Sequence, residues 1–147
     1  DAGGTEIGEW FLKLLALFLP AAGQLDELPE KAAMLWIYDP GQARANPENA
    51  PLLTSEAGVR VVNAFAGKIL AETGAVTAEG FKALVNGIKA ETGVKGKELF
   101  HPIRIVLTGA HSGPEFDKLI PLLEEGSRLP LPTHVPGVRE RVERWTH

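Results

Sequence analysis

Apolar residues recur along most of this chain at spacings of three and four, the mark of helices that bury one face. Residues 1–4 read as a frayed end or an expression scar. Thr5 is placed to cap a first helix, with Glu6 and Glu9 in its first turn, where the helix dipole favours carboxylates. The run WFLKLLALFL carries that helix to a stop before Pro20. Its apolar residues go nearly all the way round, so it is expected to be buried on most sides, clasped by the next helix or by a preceding neighbour. Residues 25–29 open a second helix, with Pro29 near its first turn, and residues 31–38 continue it. Asp39-Pro40-Gly41 reads as a turn, and the polar stretch from there to Pro51 reads as a loop.

A third helix starts at Thr54 or Ser55 and runs to about Thr73, ended by Gly74. Its core-facing stripe is Val59, Val62, Phe65, Ala66 and Ile69. Thr77 caps a fourth helix with the stripe Phe81, Leu84, Val85 and Ile88, ended by Gly93. Residues 94–98 form a glycine-broken basic loop, and Pro102 sits in the first turn of a fifth helix, PIRIVLTG. The β-branched run Ile103, Ile105 and Val106 suits a strand equally well, but no second convincing strand is available to pair with it. Ser112 is read as the cap of a sixth helix over 115–125, ended by Gly126. Pro130, Pro132 and Pro136 hold an extended segment, and a short terminal helix covers 137–145. The pattern is all-α, without an internal repeat or a low-complexity tract.

Composition narrows the picture. The 147 residues fit one domain, or two small helical subdomains sharing a core. With no cysteine there is no disulfide, no thiolate zinc site and no Cys nucleophile, which fits a reducing compartment. The longest apolar stretch, residues 10–22, contains Lys13 and is shorter than the ~20 residues a membrane span needs. It also lacks the basic lead-in of a signal peptide. The chain begins at Asp1 and its only methionine is Met34, so it is expected to be a piece of a longer or processed product. The net charge of −4 argues against a generic nucleic-acid binder, but it is uneven. Residues 1–94 carry 7 Lys/Arg against 12 Asp/Glu; residues 95–147 carry 8 against 7. Lys95, Lys97 and Arg104 lie close together, and a local basic spot can meet phosphates on an otherwise acidic surface.

The four histidines, at 101, 111, 134 and 147, show no metal-ligand spacing. Neither a GxSxG elbow nor a P-loop is present, and Gly93-Val94-Lys95-Gly96-Lys97 lacks the strand–loop–helix setting. No catalytic residue and no metal ligand is expected. Glu124-Glu125 reads as solvated, and Trp10, Trp36 and Trp145 read as core or docking residues. Arg139, Arg141 and Arg144, with Glu140 and Glu143, read as a solvated mixed-charge face. Residues 93–116, GVKGKELFHPIRIVLTGAHSGPEF, differ. Two loop lysines precede an apolar helix carrying one arginine, and a Gly-rich turn opens the next helix. Helix N-termini and such turns offer N–H groups to phosphates or bases, and a rigidly held Arg makes directed hydrogen bonds. The pattern leaves two readings open: nucleic-acid binding, or a packing helix with a partner-paired Arg104.

That segment resembles the C-terminal anticodon-binding domain of bacterial glutamyl-tRNA synthetases, which carries a GVKxGKxxxPLRxALTG-like stretch. The spacing through Pro102, Arg104, Leu107, Thr108 and Gly109 is kept. LPEKAAMLWIYDP is similar to the family's PEKAxxxF segment, and TAEGFKALVNGIKAETG aligns without a gap. The resemblance covers roughly residues 25–125. It implies an all-α, multihelical domain of two small helical subdomains, here 1–48 and 49–147, the second carrying the reading segment. It implies that Arg104 hydrogen-bonds an anticodon base and that Gly113, Pro114 and Phe116 pack against the first base. Asn86 stands where some members have arginine. Lys95 and Lys97 are added as phosphate contacts. Members that separate tRNA(Glu) from tRNA(Gln) carry an arginine that aligns near Ala21; residues 18–30 contain none, which implies a relaxed reading or an arginine from elsewhere.

The implied partners are tRNA(Glu), with tRNA(Gln) as a second candidate, and the catalytic domain of the same polypeptide; no membrane partner is implied. ATP and Mg are implied for the full-length enzyme and no cofactor for this chain, which lacks HIGH-like and KMSKS-like signatures. The implied location is the cytoplasm. The competing expectations are a helical protein-interaction or accessory module, with residues 10–19 as its partner face, and a free-standing anticodon-binding homologue.

Overall fold

The computed structural model describes residues 2–22 and 28–147, without the side chains of residues 2, 3 and 20–22. It is all-helical among the described residues. Chain order is α1 (Ala2–Ala22), α2 (Leu28–Ala32), a 3-10 turn (Ala33–Leu35), α3 (Pro40–Ala45), α4 (Ala50–Thr54), α5 (Glu56–Ala71), α6 (Ala78–Thr92), α7 (Lys97–Thr108), α8 (Phe116–Arg128) and α9 (Val138–Thr146). No helix among the described residues is long and apolar enough to cross a membrane. The opening of the second helix at residues 25–27, and the side chain of Ala21, lie outside the described residues.

Helix α1 departs from expectation at both ends. It includes residues 2–4 and Thr5, and it continues through Pro20 to Ala22. A proline in the last turn forfeits a single N–H bond, to the Ala16 carbonyl, which a helix end tolerates. One side of α1 is buried: Trp10, Leu14 and Phe18, spaced by four. Phe11, Leu12 and Leu19 are exposed, so the helix is not enclosed all round. It packs on α2 and α8. The Trp10 indole lies across α8 and donates to the Leu122 carbonyl at 2.8 Å. Gly126 is therefore not a helix stop; it lies inside α8, where a Cβ would stand 2.8 Å from the indole.

Asp39-Pro40 is a helix start rather than a turn. Asp39 Oδ1 accepts from the Gln42 N–H at 3.1 Å, and Pro40 occupies the first turn of α3. Two short helices, α3 and α4, thus replace the expected loop. Ser55 caps α5, accepting from Gly58 N–H at 3.0 Å. The buried side of α5 is Gly58, Val61, Phe65, Ala66 and Ile69, while Val59 is exposed. The stripe turns this way because α4 crosses at Gly58, where a Cβ would lie 1.9 Å from the Leu52 carbonyl oxygen. Helix α6 is capped as expected: Thr77 Oγ1 accepts from Gly80 N–H at 2.9 Å, and Gly93 closes the other end at φ 73°.

Helix α7 begins at Lys97, five residues before expectation. Gly96, at φ 66° and ψ −142°, breaks the chain there, and its carbonyl accepts from both Leu99 and Phe100 N–H at 3.0 Å. Pro102 lies inside α7 with its ring buried, so packing outweighs the forfeited bond to the Glu98 carbonyl. The β-branched residues Ile103, Ile105 and Val106 are fully buried in helical form. Helix α7 packs on α4, α5 and α9, and α6 packs on α5 and α8. Buried residues from Trp10 to Trp145 join one hydrophobic cluster, each large aliphatic or aromatic side chain contributing ~1.5–3 kcal/mol before entropy is charged against it.

The C-terminal helix holds the largest correction to the expected solvated face. Arg139 and Arg144 are exposed, but Arg141 is fully buried. Its Nε donates to the Pro136 carbonyl at 2.8 Å, Nη1 to Met34 and Leu107 carbonyls at 2.9 Å, and Nη2 to Leu35 at 2.7 Å. The guanidinium also lies 5.3 Å from the Tyr38 ring. Burial lowers the Arg141 pKa to about 10. Burial raises that of Tyr38, whose hydroxyl donates to the Val106 carbonyl.

Candidate functional site

Starting α7 at Lys97 places Lys97, Phe100, His101 and Arg104 on one outward face, since residues three and four apart are helix neighbours. The opposite face is occupied by buried Leu99, Ile103 and Val106. The helix ends at Gly109, at φ 84°, a left-handed conformation that favours glycine. Ser112 does not cap α8; its N-cap is Glu115, without a side-chain bond. Residues 109–115 instead form a loop that folds back beside α7. Its start is tied down twice. Thr108 Oγ1 accepts from Ala110 N–H at 3.2 Å, and Asn49 Nδ2 donates to the Gly109 and Ala43 carbonyls at 3.0 Å.

The returning loop brings four of the expected residues together. Arg104 Nη1 donates to the Pro114 carbonyl. The guanidinium carbon lies 4.4 Å from the centre of the Phe116 ring, close enough for attraction to the π face. A Cβ on Gly113 would stand 3.8 Å from Arg104 Nη1, so the bare backbone passes directly beside the guanidinium. Phe116 is itself backed by Phe81 of α6, with ring centres 5.0 Å apart, and by Phe100 of α7 at 6.3 Å. No carboxylate pairs with Arg104 among the described residues, and burial lowers its pKa. Nε and Nη2 make no hydrogen bond within the described residues.

Beside Arg104 lies an open groove of about 480 Å³, lined by Gly96, Lys97, Phe100, His101, Arg104, His111, Ser112 and Gly113; Pro114 and Phe116 hold Arg104 from behind and do not line it. Lys95 is exposed on the loop before α7, and Asn86 is exposed on α6; neither lines the groove. Phe100, His101, His111, Ser112 and Gly96 are lining residues that sequence reasoning does not assign to the site. The spacing 97, 100, 101 and 104 reveals the first two once the helix is started at the glycine break instead of the proline. A larger recess, about 620 Å³, lies between α4, α5 and the end of α9 and shares no residue with the groove. No group of three His, Asp or Glu that could hold a metal ion occurs among the described residues.

The groove can accept a planar, hydrogen-bonding, anionic ligand: one oriented guanidinium, a lysine, two imidazoles and an aromatic wall. Comparison with known proteins identifies the family. The family model described as anticodon binding domain matches residues 5–127. The glutamate–tRNA ligase of Bacillus velezensis is 35% identical over 124 residues, covering 82% of this chain and 25% of that protein. That of Bacillus licheniformis is 35% identical over 129 residues, covering 88% and 26%, and that of Listeria monocytogenes 34% identical over 115 residues, covering 78% and 23%. The chain spans about a quarter of the length of the curated relatives it matches. No solved structure matches it.

Proposed function

The chain belongs to the anticodon-binding-domain family, in the form found in the C-terminal region of bacterial glutamate–tRNA ligases, and from that premise we propose that it binds the anticodon loop of tRNA(Glu). The observation that carries the proposal is the fixed Arg104, with Nε and Nη2 left open beside the groove. Anticodon bases are single-stranded and can be splayed out and read on their Watson–Crick edges. In this reading Arg104 bonds one base, residues Gly113, Pro114 and Phe116 wall another, and Lys97 meets the backbone from inside the groove. Lys95 serves the backbone from outside it. Asn86, exposed on α6, is assigned the outermost contact.

The polypeptide to which such a domain belongs would ligate glutamate to tRNA in the cytoplasm, with ATP and Mg handled by its catalytic part. Because no arginine stands in residues 18–30, tRNA(Gln) is included as a partner. The test is a titration of the chain with the tRNA(Glu) anticodon stem-loop and with a scrambled loop. Arg104→Ala should cost ~1–3 kcal/mol on the cognate loop and much less on the scrambled one. Equal losses would remove the base-reading role.

A second reading, as a protein-interaction module, is favoured by the exposed Phe11, Leu12 and Leu19 on α1. Failure of the unmodified chain to bind either loop at low salt would favour it.

A further inference from the structure

The groove contains two histidines that base reading by Arg104 does not use. His101 stands one turn before Arg104 on α7, and His111 lies on the loop that folds back beside it. Both line the groove, both are half-buried, and their ring centres are 5.4 Å apart. Lys97 and Arg104 flank them on α7. Glu48, on the segment between α3 and α4, reaches His111 Nε2 at 3.4 Å. No carboxylate pairs with His101 among the described residues. Burial, and then the charges of His111, Lys97 and Arg104, lower the pKa of His101. The groove thus gathers cationic groups around an imidazole that has no counter-charge of its own.

We propose that His101 and His111 form a phosphate subsite: a backbone phosphodiester of the bound RNA docks against both rings and Lys97, and His101 takes up a proton as it does so. This rests on the anticodon-loop reading above. The physical reason is reciprocal. An anion within ~4–6 Å favours the charged imidazole, and the charged imidazole makes a stronger, charge-assisted bond to the phosphate oxygen. No covalent bond changes; the proton comes from solvent. Because bound RNA raises a pKa that the free groove depresses, affinity must rise as pH falls through the window between the two values.

The experiment is a titration with the anticodon stem-loop at about pH 8 and about pH 6, at constant ionic strength, followed by calorimetry in two buffers of different ionisation enthalpy. Expected is roughly three- to tenfold tighter binding at the lower pH, with net uptake of up to about one proton. His101→Gln should abolish the gain and the proton uptake, His111→Gln should reduce them, and His134→Gln, remote from the groove, should leave them intact. His101→Lys, which fixes the charge, should bind without pH dependence, and this keeps the test open should His101→Gln fold poorly. Binding by the unmodified chain with a flat pH profile, or an undiminished gain in His101→Gln, overturns the subsite alone. Absence of binding at both pH values overturns the RNA reading and the subsite with it, whereas equal binding to a scrambled loop overturns the base reading alone, since a phosphodiester carries no sequence.

Discussion

A guanidinium oriented by one carbonyl and one phenyl face keeps its full charge for a ligand. Arg104 is held in this way, and an ion pair would instead have neutralised it. Phe116→Leu should therefore keep the fold but loosen the guanidinium, costing ~0.5–2 kcal/mol of anticodon-loop affinity; parallel thermal melts check that stability is not the cause. Arg104→Lys should not rescue Arg104→Ala, because an ammonium lacks the planar fork. His101 adds a pH effect of defined sign. Its folded pKa lies below the ordinary histidine value, so the unfolded chain takes up the proton first. Stability is complete above roughly pH 6.5 and falls as pH drops towards the folded pKa. Urea midpoints should decline on acidification through that window, and His101→Gln should flatten the decline.

Glycines separate the elements' roles better than their hydrophobic stripes do. Gly67, exposed within α5, has nothing within 4 Å of an added Cβ, so Gly67→Ala should stabilise by ~0.5–1 kcal/mol. Gly126→Ala, against the Trp10 indole at 2.8 Å, should destabilise by ~1–3 kcal/mol, and Gly58→Ala, at 1.9 Å from a backbone oxygen, by more. Chemical denaturation of the three variants checks the order. The same elements differ in how far the sequence makes them legible. Helix α6 can be read almost entirely, because Thr77 and Gly93 are local signals and act locally. The start of α7 is hidden because Pro102 is a strong local signal for a helix's first turn, which tertiary burial overrides. Asp39-Pro40-Gly41 serves a turn and a capped helix start equally well, and only the next residues' packing decides between them.

For the molecule as a whole, the two arginines singled out in the sequence exchange significance. Arg104 is legible through its apolar neighbours and the spacing of its segment; its approach to Phe116, across a loop, is not. Arg141 reads as solvated although it stands three residues after Val138 and four before Trp145, on the buried stripe of α9. A charge on that stripe can be accommodated only by carbonyls from distant chain, which periodicity does not reveal. Arg141→Met should cost ~3–5 kcal/mol, since the buried carbonyls lose their donor; urea unfolding measures it. The net charge of −4 also bears on binding: the approach of RNA depends on local cations against an unfavourable overall field. Lys95→Ala and Lys97→Ala should weaken all loops alike and reduce the salt slope of binding, by about one for each phosphate no longer neutralised.

The carbonyls gathered by Arg141 belong to Met34, Leu35, Leu107 and Pro136, so one side chain from the last helix closes a span of more than a hundred residues. Such a node forms only when α9 has met both the 3-10 turn and α7, and opening it releases these segments together. Amide protons of the early 3-10 turn and of α9 should accordingly exchange with deuterium at a common rate, set by global rather than local opening. On the ribosome the same arrangement delays completion. Met34 and Leu35 are made more than a hundred residues before Arg141, and their carbonyls acquire their donor only when α9 emerges.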